Sequence, residues 1–162
     1  MPYIAITVQH RDFEPAAIDA MGRAAARAAA DAEEIPDDPL RRANTVVQII
    51  EAPAGQLYSA AGGDAPRAVR IVIAEVFVCE GVLDAAHRAR CIRGIHAAIR
   101  DAGAVSGARG GIPVRTSIIV NDVTNGTWGI DGELQFLPDF AARAGYRHLA
   151  LFGQAEELRS VK

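Results

Sequence analysis

The sequence predicts an α+β fold built from two fused β-α-β units, with four strands in one sheet and two helices on one face. Three observations carry this. An apolar β-type run, a long helical stretch and a second β-type run follow one another in residues 3–50. The same order returns from residue 69 onward. Each half then closes on a glycine-containing segment with hairpin character, so the chain reads as an internal repeat. We divide it into pseudo-repeats 1–64 and 65–137 and a tail 138–162, all within a single domain.

The elements follow in order. "YIAITV" (3–8) is a short continuous apolar run, as a strand buried on both faces would be. The segment 14–35 is alanine-rich and carries Pro15 where a first helical turn tolerates it, so it predicts a helix able to lie close against a neighbour. "IPDDP" (35–39) ends that helix, because proline cannot continue one. "TVVQII" (45–50) is the second strand, and 51–63 has the turn residues of a hairpin. In the second half, 69–78 is a strand and 82–103 a helix with an expected apolar stripe of Ala85, Ala89, Ile92, Ile95, Ile99 and Ala102. Gly103 is a natural stop for it. The glycine-rich 105–113 is a loop, 114–123 a strand, and "TNGTWGIDGELQF" (124–136) a hairpin. The tail predicts a short helix and a terminal segment. Parallel strands within each unit require crossovers, which places both helices on one side of the sheet. The opposite face is then bare, and association with further copies is the cheapest cover.

Composition narrows the function classes. Half of the 162 residues are apolar, enough for a core without disulfides or metals. A formal charge of −3 argues against a nucleic-acid surface. The two cysteines, Cys79 and Cys91, read as reduced thiols, with Cys91 in the core of the second helix. The first residues lack the basic and long apolar regions of a signal peptide, and no run is long enough to span a membrane. A cytoplasmic location is expected.

Two motifs, "MPYIAITV" (1–8) and "IIVNDVTNGTWGIDGELQFL" (118–137), taken with the repeat, resemble the tautomerase superfamily. The likeness is to the 4-oxalocrotonate tautomerase-like proteins, especially the fused two-unit members related to malonate semialdehyde decarboxylase and cis-3-chloroacrylic acid dehalogenase. It covers roughly residues 2–137 and implies a trimer that uses an amino-terminal proline as catalyst, with no cofactor. Trp128 stands where such proteins place an aromatic over the pocket. The resemblance implies a tautomerase-like isomerase acting on a small enol, keto or unsaturated compound. Alternatives are a proline-dependent hydratase, dehalogenase or decarboxylase, and a trimeric binding protein without chemistry.

If Met1 is removed, Pro2 is a secondary amine. An α-amino group ordinarily titrates near 7.7–8. Burial and a nearby cation disfavour the ammonium, which suits the amine to general base work near neutral pH. The superfamily's substrate-binding arginines at the junction of third strand and second helix are absent. That junction reads "VFVCEGVLD" (76–84), with Glu80 in their place. The helix-borne histidine of the chloroacrylate enzymes would fall near Ala28–Ala30, and the decarboxylase aspartate near Arg41; neither is present. The candidate substrate-binding groups are therefore Arg41 and Arg42 before the second strand, His10 after the first, Glu80, Asn121 and Trp128. A guanidinium suits a carboxylate, and Asn121 suits an enolate oxygen. His87 and His96, nine apart on one helix, do not form an i, i+4 ligand pair, so no metal site is read. "GARGG" (107–111) lacks the lysine of a phosphate loop and reads as a linker.

Overall fold

Alternating burial along the strands defines the two faces of the sheet. In the computed structural model, which describes residues 2–58, 69–105 and 111–151, strands β1 (Tyr3–Gln9), β2 (Val46–Ala52), β3 (Arg70–Cys79) and β4 (Val114–Val123) form one sheet. Its order is β2-β1-β3-β4. β1 runs parallel to β2 with Tyr3 opposite Val46, and β3 runs parallel to β4 with Phe77 opposite Asn121. The two units meet antiparallel at β1 and β3, where Tyr3 faces Phe77. Ile4, Ile6 and Val8 of β1 and Val72, Ala74, Val76 and Val78 of β3 point to the buried face.

That face is covered by α1 (Pro15–Ala32) and α3 (Ala85–Ala104). Pro15 opens α1 at a position whose missing N–H costs nothing. Asp84 caps α3 by accepting a hydrogen bond from the His87 backbone N–H at 2.8 Å. The helices cross where small residues meet: a Cβ built on Gly94 would stand 2.7 Å from the Ala28 Cβ. The alanine-rich α1 therefore lies close to α3, as its composition predicts. The two β-α-β units and the shared sheet are as expected.

Three local differences stand out. The inward stripe of α3 is His87, Cys91, Ile95, Ala98, Ile99 and Ala102 rather than the one starting at Ala85, and Ile92 is partly exposed. His87, a polar residue, occupies an inward position that apolar periodicity alone passes over. The segment 39–42 is a one-turn helix, α2 (Pro39–Arg42), rather than a plain loop. Asp38 creates it by accepting from the N–H groups of Leu40 and Arg41. The hairpin expected over 51–63 is absent in its described part: β2 continues to Ala52 and 53–58 hold no strand, while 59–63 lie outside the described residues. Most of the 107–111 linker also lies outside them.

After β4 comes a small hairpin of β5 (Trp128–Ile130) and β6 (Glu133–Gln135), as the glycine pattern predicts. Asp131 and Gly132 both have positive φ, 54° and 86°, the requirement of a tight two-residue turn matching strand twist. α4 (Leu137–Ala144) and a 3₁₀ turn (Arg147–Leu149) complete the order. At the far end of the sheet Arg70 is buried, donating to the carbonyls of Asp12, Gly103 and Ile112 and lying 4.9 Å over the Phe13 ring. It ties the first unit to the second. No described helix is long and apolar enough to cross a membrane.

The other face of the sheet has no cover among the described residues. It carries Tyr3, Ile73 and Phe77 in its centre, with Val46, Ile50 and Ile119 exposed on the outer strands.

Candidate active site

β1 and β2 begin, and β3 and β4 finish, at one end of the sheet. The backbone N–H of Val46 donates to the Pro2 carbonyl at 3.1 Å, so the β1–β2 ladder fixes Pro2 in place. Pro2 is buried there. It lines a cavity of about 460 Å³ with Tyr3, Asn44, Val46, Phe77, Val123 and Trp128. Strand parity explains the lining, because Tyr3, Phe77 and Val123 all stand on the uncovered face. The cavity thus lies at the rim of that face.

Trp128 reaches the cavity from the β5–β6 hairpin. Its position is held by the edge of the buried Phe140 ring, 5.6 Å away. Asn44 is presented by the end of α2, its amide donating to the carbonyls of Leu40 and Arg41. The pocket is otherwise apolar, and no cationic side chain lines it among the described residues.

The remaining sequence candidates separate. Arg42 is consumed in its own loop, with Nη2 2.8 Å from Asp31, Nε 3.4 Å from Asp37, and further bonds to the carbonyls of Ile35 and Pro36. Arg41 lies with its guanidinium against Gly145. His10 sits at the far end of β1, roughly 25 Å away at about 3.3 Å per residue, and pairs with Glu51 at 3.6 Å. Glu80 accepts from the Asn125 N–H at 3.3 Å and helps close the turn into the hairpin. Asn121 is half-buried on the uncovered face, opposite Phe77. Within one chain, then, Pro2 and Trp128 share a cavity, and Arg41, Arg42, His10, Glu80 and Asn121 do not line it.

Polar groups that the sequence reading did not single out gather at the same end of the fold. Glu33, the residue closing α1, is 1% exposed, and burial raises its carboxyl above the ordinary range. The Tyr146 phenol hydrogen-bonds it, and burial with this negative neighbour pushes the phenol up in turn. Burial also raises the Cys79 thiol, at the end of β3. A glutamate directly before a helix-stopping proline segment looks in sequence like a solvated cap; only the later packing of Tyr146 reveals it as buried.

No protein-family model matches the sequence, and no curated protein matches it. Solved structures do. A fused 4-OT, wild type, in a symmetric trimer superposes with a TM-score of 0.62 at 16% identity, covering 82% of this chain and 94% of that one. The chain shares the fold of this fused 4-OT. Pt0534 inactivated by 2-oxo-3-pentynoate gives 0.59 at 16% identity, over 82% and 94% of the two chains. FG41 malonate semialdehyde decarboxylase inhibited by 3-bromopropiolate gives 0.55 at 15% identity, over 79% and 88%. The shared fold accounts for the β-α-β repeat.

Proposed function

We propose that the chain is a tautomerase-like isomerase in which Pro2, freed by removal of Met1, acts as general base or acid on a small enol, keto or unsaturated compound. The observation that carries this reading is the burial of Pro2 in the wall of an apolar cavity capped by Trp128. In such surroundings the charged form of a secondary amine is disfavoured, its pKa falls below the ordinary 7.7–8, and it can take a proton at neutral pH. The apolar walls and the indole face suit the flat carbon skeleton of an enol. Proton transfer between carbon and oxygen needs no cofactor.

In this reading the functional unit is a homotrimer. The fused 4-OT relative is a symmetric trimer, and the uncovered sheet face with Val46, Ile50 and Ile119 is an apolar surface that another copy can bury. The cavity at its rim would then be completed by a neighbouring copy, which can bring a cation toward it. A second reading, a Pro2-dependent hydratase, dehalogenase or decarboxylase, draws on the likeness to malonate semialdehyde decarboxylase.

The inactivator of Pt0534 gives the test. The native protein is treated with 2-oxo-3-pentynoate and mapped by mass spectrometry. The expected result is one adduct, on the nitrogen of a peptide that begins at Pro2. A peptide that still begins at Met1, or a Pro2 peptide left unmodified, overturns the proposal.

A further inference from the structure

A second cluster of chemistry-bearing groups lies on the helix side of the fold, outside the Pro2 cavity. Glu34 follows the end of α1, His87 is in the first turn of α3, and His148 is in the 3₁₀ turn of the tail. One carboxylate oxygen and one ring nitrogen from each histidine all lie within 4.8 Å of one another. Glu34 Oε1 is 3.5 Å from His87 Nε2, and Glu34 Oε2 is 4.0 Å from His148 Nδ1. The two imidazoles stack with centroids 4.2 Å apart.

The outer hydrogen bonds decide what the inner nitrogens are. His148 Nε2 stands 2.7 Å from the Val82 carbonyl, and a carbonyl only accepts, so Nε2 carries the proton. His87 Nδ1 stands 2.6 Å from Asp84 Oδ1. A carboxylate oxygen accepts, so Nδ1 carries the proton there. In the neutral rings the lone pairs are therefore on His87 Nε2 and His148 Nδ1. Both atoms are buried without a hydrogen-bond partner, and both face the Glu34 carboxylate. Lone pairs facing a carboxylate are mutually repulsive until a cation stands between them.

We propose that Glu34, His87 and His148 form a three-ligand site for a divalent transition-metal ion of the Zn²⁺ class. Two imidazoles and a carboxylate are a fitting donor set for Zn²⁺. Ligand atoms about 2.0–2.1 Å from a tetrahedral ion stand about 3.4 Å apart, so the three donors, now within 4.8 Å of one another, would draw together and the stacked rings would turn toward a shared ion. Asp84 and the Val82 carbonyl are the outer partners that orient metal-binding histidines. Arg90 Nη1 lies 3.4 Å from the same oxygen, Glu34 Oε1, and helps hold the carboxylate in place. The Glu34 backbone adopts φ 55°, a left-handed conformation at a helix end where glycine is the usual occupant. Glu34 also borders a surface cavity of about 400 Å³. The fourth position is left to water. A bound ion would pin the C-terminal 3₁₀ turn to the facing ends of α1 and α3.

The test uses the full, untagged chain, stripped with chelator and desalted. ZnCl₂ is titrated by calorimetry, with Co²⁺ absorption as a coordination probe. One ion per chain should bind, raise the melting temperature, and give the spectrum of a tetrahedral nitrogen–oxygen site, with Mg²⁺ unable to compete. Glu34→Gln and His148→Ala, each checked for native circular dichroism, should each weaken Zn²⁺ by at least about tenfold, the smallest loss expected even of an outer partner. Binding absent from the native chain, or unchanged in both folded variants, overturns the proposal and leaves a proton as the cation between these groups.

Discussion

Pro2 and Trp128 come from near opposite ends of the described chain, yet they wall one cavity. At the residue scale both were legible, because each sits in a short motif whose position relative to a strand is fixed. The polar partners were less so. Arg42 resembles a free cation in sequence, and its capture by Asp31 and Asp37 depends on how the loop after α1 folds back. Glu33, Glu34 and His148 carry no local signature, since their burial or clustering comes from the tail docking on the ends of α1 and α3. The same is true of His87, whose natural sequence comparison was His96 on its own helix. His96 instead contacts Thr116 of β4 at 2.8 Å. The cysteines were read correctly as unpaired thiols. Burial pushes Cys91 up to about 12 and raises Cys79 as well. Neither thiol should therefore react with a disulfide reagent in the native protein at neutral pH, while both of the chain's cysteines should titrate in denaturant. Rapid labelling of the native chain at Cys79 would contradict the burial described.

At the scale of elements, the helices and strands followed from periodicity and the end of α1 from the proline segment after it, whereas α3 runs on through the buried Gly103 to Ala104 instead of stopping there. The errors fell where a single polar side chain redirects the backbone, as Asp38 does for α2, or where an inward residue is polar, as His87 is in α3. The α1–α3 crossing is the contact on which the helical layer depends. Gly94 meets Ala28 with no space for a Cβ. Gly94→Val should cost about 1–3 kcal/mol, the range for overpacking a well-packed contact. Ala28→Gly in the same chain should restore part of that loss. Denaturant melts of the single and double variants measure both quantities, and strict additivity would show that the two residues do not touch.

The whole molecule is half of an argument about a surface. Its helix side is sealed by Met21, Ile95, Ile99 and their neighbours, while the opposite sheet face leaves Val46, Ile50 and Ile119 partly exposed. The sequence implied this imbalance, since both strand pairs are apolar and only two long helices exist to cover them. It did not reveal which residues a second copy would touch, because that depends on register across the sheet. Sedimentation should give a trimer, and Ile119→Glu on the uncovered face should shift it toward monomer. A wild-type monomer would leave the apolar face and the open rim of the Pro2 cavity unexplained.

The central claim is that the Pro2 nitrogen does the chemistry. The direct measurement compares native protein, shown by intact mass to begin at Pro2, with Pro2→Ala on a panel of enol–keto substrates such as phenylenolpyruvate. Alanine leaves a primary amine, so the expected fall in kcat/KM is about 10²-fold, the lower end of what a positioned general acid or base contributes. Equal rates in the two proteins, or a native chain that retains Met1, would contradict it.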